Sequence, residues 1–375
     1  MPEVQDVFRS FGDAYKQTHS LSYGQLKAMS AIKRCRTAEL GAHHDVCESC
    51  GDVEISYNSC RNRHCPKCQA LAKERWIDNQ KCDLLNVPYF HVVFTVPDTL
   101  RPVIYQNQAA LYGLLFKAVA ETLQELAADK KFLGATLGFT SVLHTWGQNL
   151  SFHPHIHCIV PSGGLTKLGA WIESRKKFFI PVKVISRKFR GKLLHLLASQ
   201  KLAFFGEQSY LNGHKHFLDF LGTCYLKEWV VYCKPPFKSA ASVVDYLGRY
   251  THRVAISNSR IENFHNGQVT FKWRDYKDGN RWKAMAVSAF EFIRRFLMHV
   301  LPAGFMKIRH YGLLANRDKT KRLALCKVLT QTPMIAKVKA SSLDLLSKML
   351  GRDLSICQHC GNPRHPMGLS PPLSA

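Results

Sequence analysis

Acidic residues are scarce in this 375-residue chain: 27 Asp and Glu stand against 52 Lys and Arg, a formal charge of +25. A compact protein with that surplus repels itself unless it meets a polyanion, so nucleic acid is the expected partner. A basic protein with no such partner is the plainer alternative. Long apolar runs are also missing. No stretch reaches the roughly 18 uninterrupted apolar residues that a membrane span requires, so no membrane is expected among its partners. The opening MPEVQDVFRSFGDAYKQ has no apolar signal core and carries early acids, which points to the cytoplasm. In a reducing compartment, thirteen cysteines argue for free thiols and metal ligands rather than a disulfide framework. With 46% apolar and 11% aromatic residues the chain can build a core, which excludes general disorder.

The length allows about two domains of roughly 150 residues and a tail. No internal repeat is visible. Residues 1–86 hold six cysteines within the first 68 positions, followed by a short helical pattern around 70–85. The composition shifts at Val87-Pro88, and residues 87–303 read as a mixed domain. There HVVFTV is a predicted strand ended by Pro97, residues 109–128 a helix, and 138–146 and 155–160 two more strands. Residues 182–205 read as a basic amphipathic helix, 229–232 as a strand and SAASVVDYLGRYTHR as a helix capped by Ser239 or Ser242. Asn266-Gly267 and Asp278-Gly279 are hairpin signals around VTFKWRDY, and residues 290–301 a closing helix. Residues 304–375 form a basic, then loose and Pro-rich region. Strands mixed irregularly with helices predict an α+β fold, a central antiparallel sheet flanked by helices, preceded by a zinc-ribbon-like domain.

Cys47-x-x-Cys50 and Cys65-x-x-Cys68 are separated by fourteen residues. Each pair can present two thiolates from one turn, and two turns complete a tetrahedron, so the expected structural zinc site is Cys47, Cys50, Cys65 and Cys68. Cys35, His43, Cys60 and His64 are candidates for a second zinc. The run RNRHCPKCQALAKER carries five cationic side chains, among them Arg61, Arg63 and Lys67, which are expected to contact DNA. The pair Cys357 and Cys360 has only His359 and His365 nearby and receives no assignment.

In HPHIHCIV, alternation on a strand puts His155 and His157 on one side and Ile156 on the other, a spacing that can grip one metal ion. His153 extends the same face, so which pair binds stays open. His144 lies eleven residues before His155; if the two strands pair across a short loop it arrives beside them as third ligand, with Gln148 the fallback. On the later helix Tyr246 and Tyr250 stand one turn apart. Such a pair is ordinarily core packing, but Arg249, His252 and Arg253 make the stretch cationic and suited to phosphate.

Four separated segments, SCRNRHCPKCQ, HPHIHCIV, YLGRYTHRVAIS and RHYGLLANR, resemble the insertion-sequence-91 family of transposases, HUH endonucleases with two tyrosines. The resemblance is collinear from about residue 30 to 320. It implies metal-binding histidines on a middle strand, matching His155 and His157, and two nucleophiles matching Tyr246 and Tyr250. It also implies Mg²⁺ or Mn²⁺ at the catalytic site, besides structural Zn²⁺. The implied activity is nicking and transfer of single-stranded DNA during rolling-circle transposition in a bacterial nucleoid, with hairpin ends of the mobile element as partner. The expected step is transesterification through a 5′-phosphotyrosine. A related replication initiator or relaxase, and a zinc-dependent DNA-binding protein without catalysis, are the alternatives. Oligomeric state is not legible.

Overall fold

The computed structural model describes all residues except 175–179, 235–236, 238–241, 244–247, 249–254, 277, 338–339 and 373–375, and the side chains of 366–367. Its architecture is α+β, with antiparallel sheets flanked by helices.

A five-stranded sheet forms the centre. Its strands are β3 (Tyr89–Thr95), β4 (Gly138–Trp146), β5 (Phe152–Pro161), β8 (Val231–Lys234) and β12 (Ile308–Gly312), ordered β12-β4-β5-β3-β8 and antiparallel throughout. Aromatic and β-branched residues with period-two alternation explain the strands. Phe90, Val92 and Phe94 of β3 and Ile156, Cys158 and Val160 of β5 point to one side, into the main core. That face is covered by three helices, Gln108–Ala128, Val182–Ala198 and His214–Leu226. The alternate residues, His91 of β3 and His155, His157 and Ile159 of β5, therefore face the other way.

The second helix stops at Ala198 rather than running to 205. The amides of Asn107 and Asn212 bracket the backbone of Ala203 and Phe204, holding it extended while Phe204 is buried in the core. The strand expected at 229–232 begins at Val231, because Trp229 turns inward and its Nε1–H donates to the Cys224 carbonyl at 2.9 Å.

Two helices that the sequence reading did not identify, α1 (Val4–Thr18) and α2 (Tyr23–Arg34), open the chain. They share a core with the meander β9 (Ile261–His265), β10 (Gln268–Asp275) and β11 (Arg281–Ser288) and with the helix Ala289–Leu297. Phe8 meets Phe296 edge-on at 5.2 Å. Asn266 and Gly267 join β9 to β10 with φ of +50° and +71°, the two left-handed residues that this tight hairpin requires.

Strands β1 (Ala42–Val46) and β2 (Val53–Tyr57) form a hairpin, and the last strand, β13 (His365–Ser370), pairs with β1. Short β6 (Gly163–Leu165) and β7 (Trp171–Glu173) pair beside the central sheet. The boundaries expected at 86 and 303 therefore do not coincide with the packing. Burial of α1 and α2 is completed by residues 255–300, β12 is an edge of the central sheet, and β13 completes the N-terminal sheet. Each early element leaves apolar surface or an open edge that a distant segment covers. Among the described residues no helix is long and apolar enough to cross a membrane.

Candidate metal centres

The face of the central sheet turned away from the main core carries a histidine cluster. The β4–β5 register sets His144 directly opposite His155 and Val142 opposite His157, so the three rings meet across two strands. One ligand atom from each of His144, His155 and His157 lies within 4.8 Å of the others. Ring centroids are 5.3 Å apart for His144–His155, 4.3 Å for His144–His157 and 4.8 Å for His155–His157. The loop that turns β4 into β5 closes with Gly147 N–H donating to the Ser151 carbonyl at 2.9 Å, and Leu150 adopts a φ of +64°.

Two contacts orient these rings. His155 Nδ1 donates to the His153 carbonyl at 2.6 Å, which leaves Nε2 as its ligand atom. His157 Nδ1 lies 2.8 Å from His91 Nε2, with the two rings stacked at 5.0 Å. Burial pushes the His155 imidazole down to about 4 and, with the neighbouring histidines, holds His157 well below its ordinary value. These two imidazoles are therefore neutral at pH 7, the form that binds a metal. His153 continues the face, its ring 5.0 Å from that of His155, but it is not part of the three-residue cluster. Gln148 donates instead to the Tyr276 hydroxyl at 2.8 Å.

Tyr246, Tyr250, Arg249 and Arg253 lie outside the described residues. Val243 is fully buried in a cluster with Tyr89 and Ile159, on the histidine-bearing face. A Cβ at Gly248 would fall 2.2 Å from Ile77 Cδ1, so Gly248 itself sits hard against the helix Pro66–Lys81.

The cysteines form two groups of four, and the division differs from the expected one. Cys35, Cys60, Cys65 and Cys68 converge, with Cys68 Sγ 3.6 Å from both Cys35 Sγ and Cys60 Sγ. Cys47 and Cys50 do not approach Cys65 and Cys68; they meet Cys357 and Cys360, with sulfurs 3.4 Å apart for Cys47–Cys360 and 3.7 Å for Cys50–Cys357. The β1–β2 hairpin carries the first pair away from the 60–68 segment, and the strand pairing of β13 brings the last pair to it. Cys35 is pulled down to about 7 by its contacts with Cys60 and Cys65, and Cys68 falls further still under the contacts of Cys35, Cys60 and Cys65. Four sulfurs at contact distance repel as thiolates, and a soft dication relieves that repulsion.

The second-zinc expectation is likewise corrected in its histidines. His43 is exposed on β1, opposite Ser56 and Leu369. His64 is buried with its Nε2 accepting the Leu301 N–H at 3.0 Å, and burial pushes its pKa down to about 3. Of the cations expected on DNA, Arg61 is exposed. Arg63 donates to the Phe305 carbonyl at 2.6 Å, and Lys67 pairs with Glu3 at 2.6 Å and Gln5 at 2.7 Å. These two tie the cysteine segment to its neighbours, because it is wrapped between the chain start and residues 299–307.

A cysteine-bound N-terminal segment attached to an antiparallel sheet with a histidine cluster belongs to the class of DNA-processing proteins that the comparisons with known proteins identify. Residues 138–322 match the family described as "Putative transposase", and residues 7–96 match the "Transposase zinc-binding domain". The "Putative transposase y4qJ" of Sinorhizobium fredii (strain NBRC 101917 / NGR234) is 48% identical over 369 residues, covering 96% of this chain and 93% of that protein. The transposase for insertion sequence element IS801 of Pseudomonas savastanoi pv. phaseolicola is 29% identical over 299 residues, 78% of this chain and 71% of its own length. No solved structure matches the chain. The chain belongs to the insertion-sequence-91 family of transposases, DNA-binding proteins with a zinc-binding domain.

Proposed function

We propose that this transposase nicks single-stranded DNA and transfers the cut strand through a 5′-phosphotyrosine, in rolling-circle transposition of an insertion sequence with hairpin ends. The observation that supports the reading is the convergence of His144, His155 and His157 on one sheet face, with ligand atoms within 4.8 Å. Three imidazoles, all at least partly buried and two of them, His155 and His157, held neutral by burial, make a donor set that fits a divalent cation. When bound, that cation, Mg²⁺ or Mn²⁺ by the family resemblance although imidazoles also suit zinc, supplies positive charge to the non-bridging oxygens of the scissile phosphate.

The chain's own groups do the rest. The phenol oxygen of Tyr246 or Tyr250 attacks phosphorus, the bond to the 3′-oxygen breaks, and the proton passes to the departing 3′-hydroxyl. One phosphodiester replaces another, so rejoining to a second strand needs no external energy. A tyrosine near its ordinary pKa of about 10 is ionised roughly one part in a thousand at pH 7, a handicap of ~4 kcal/mol that the charged site offsets. Two tyrosines let one hold the first strand while the other cuts a second. Arg249 and Arg253 are assigned to phosphate, and the exposed Arg61 to DNA beside the zinc segment. The structural zinc of the N-terminal segment is assigned to Cys35, Cys60, Cys65 and Cys68.

The β10–β11 hairpin supplies a surface for bases. Trp282 and Tyr276 are exposed, and Arg274 lies over the Trp282 ring at 5.7 Å. Tyr276 also accepts from Gln148, in the loop between His144 and His155. Stacking on such rings is sequence-tolerant and worth ~1–3 kcal/mol per base. The work is assigned to the bacterial cytoplasm, at the nucleoid.

The test is incubation with labelled single-stranded DNA carrying the element's ends plus Mg²⁺ or Mn²⁺, then a denaturing gel. A covalent protein–DNA band is expected in the wild type and in each single Tyr→Phe variant. It disappears in the Y246F/Y250F double variant and with EDTA. A band that survives the double variant removes these nucleophiles. No band from the wild type on verified ends favours a DNA-binding protein without catalysis.

A further inference from the structure

The last twenty residues carry a second half-site that neither matched family span contains, since those spans cover residues 7–96 and 138–322. The geometry points to a structural Zn²⁺ held by Cys47, Cys50, Cys357 and Cys360, a ribbon site whose two halves come from opposite ends of the chain. The four sulfurs form one of the tight groups of the described structure.

The two halves are built alike. The sequences are CESCGD at residues 47–52 and CQHCGN at residues 357–362. In the first, the Cys47 N–H donates to the Asp52 carbonyl at 2.9 Å and the Gly51 N–H to the Cys47 carbonyl at 2.8 Å. In the second, the Cys357 N–H donates to the Asn362 carbonyl at 2.7 Å and the Gly361 N–H to the Cys357 carbonyl at 2.9 Å. Gly51 and Gly361 close the turns with φ of +73° and +79°, a conformation that favours glycine. Each turn presents two thiols from one side, and two such turns facing each other give four sulfurs around a point, the closed tetrahedral arrangement of a structural zinc. A single pair of cysteines is a weak signal; two matching turns with facing sulfurs are a built site.

The surroundings hold the halves in register without the metal. β13 pairs with β1 over Ala42–Val46, and His44 Nε2 meets Ser370 Oγ at 2.5 Å. Arg364, its side chain 6% exposed, pairs with Glu54 at 2.9 Å and with Asp52. A disulfide is the competing use of such a cysteine pair, and a reducing buffer separates the two.

The inference does not depend on the nuclease reading, and its test needs no DNA. The full-length protein, purified under reducing conditions with zinc and dialysed, is compared with the C357S/C360S double variant by elemental analysis. The variant is expected to carry one zinc fewer per chain, and the cobalt-substituted form to lose about half of its thiolate-to-metal charge-transfer absorption. The C35S/C60S variant is expected to lose the other half. Equal zinc and equal cobalt–thiolate absorption in wild type and C357S/C360S would overturn the assignment. If the variant fails to fold, the wild type decides: cadmium-113 NMR is expected to show two tetrathiolate resonances, and a single one overturns the proposal.

Discussion

Replacing His91 with phenylalanine keeps the ring and its volume on β3 but removes the nitrogen that lies 2.8 Å from His157 Nδ1. His91 does not join the three-residue cluster itself. Its expected effect is indirect: it fixes which nitrogen of His157 carries the proton and how the ring stands. Partners of this kind, when lost, cost about 10–100-fold in metal affinity. At ~1.4 kcal/mol per factor of ten that is about 1.4–2.8 kcal/mol, which overlaps the roughly 1–3 kcal/mol for disrupting a buried hydrogen bond. The assay is calorimetric titration of the full-length protein with Mn²⁺, for wild type, His91→Phe and His91→Gln. Phenylalanine should weaken binding by at least tenfold, glutamine should recover part of it, and His144→Ala should weaken it more than either. Unchanged Mn²⁺ affinity in His91→Phe would refute the argument, since the ring contact would then be packing alone.

Three further outcomes follow from local geometry. Gly312 has a φ of +59°, and a Cβ there would lie 1.8 Å from the Leu137 carbonyl oxygen, so Gly312→Ala should destabilise by more than the ~1–3 kcal/mol of local backbone strain, read as a lowered urea midpoint. Gly41→Val should detach the last strand, because the added Cβ would fall 2.5 Å from the Ser370 carbonyl; limited proteolysis should cut after about residue 355 in the variant and not in the wild type. Burial pushes His299 down to about 4, with Nδ1 facing Thr145 Oγ1 and Nε2 donating to the Leu150 carbonyl. Its folded pKa lies below the unfolded value of about 6.5, so the stability it contributes is present above pH 6.5 and lost as pH falls toward 4. The slope is at most ~1.4 kcal/mol per pH unit. His299→Gln should flatten the acid limb of a denaturant-stability profile, and an unchanged limb would refute this.

The sequence made the histidine face readable because alternation on one strand and a short hairpin loop are local rules. His155 and His157 share a side by period, and His144 arrives opposite His155 when β4 and β5 pair across Gly147. His91 carries no such signal, because it is a lone histidine in an apolar run and only the β3–β5 register places it near His157. The cysteine partners are hidden in the sequence for a related reason. Spacing ranks the nearest pair as partner, whereas the chain crosses 307 positions from Cys50 to Cys357. The usable signal was the repeated Cys-x-x-Cys-Gly followed by Asp or Asn, at 47–52 and 357–362. α1 and α2 have no motif to announce them, and the meander and the helix Ala289–Leu297 that cover them lie more than 220 residues further along the chain. Arg63 and Lys67 look like free cations in the sequence, and only the fold shows them spent on internal partners.

A sheet made from residues 42–57 and 365–370 also has a timetable. A ribosome adding about 5–20 residues per second needs roughly 15–60 s to travel from the first of these segments to the last. Throughout that interval β1 presents an open edge, and Cys47 and Cys50 face no sulfur partner from the far end of the chain. The first hairpin therefore waits, edge open, until its third strand has been made.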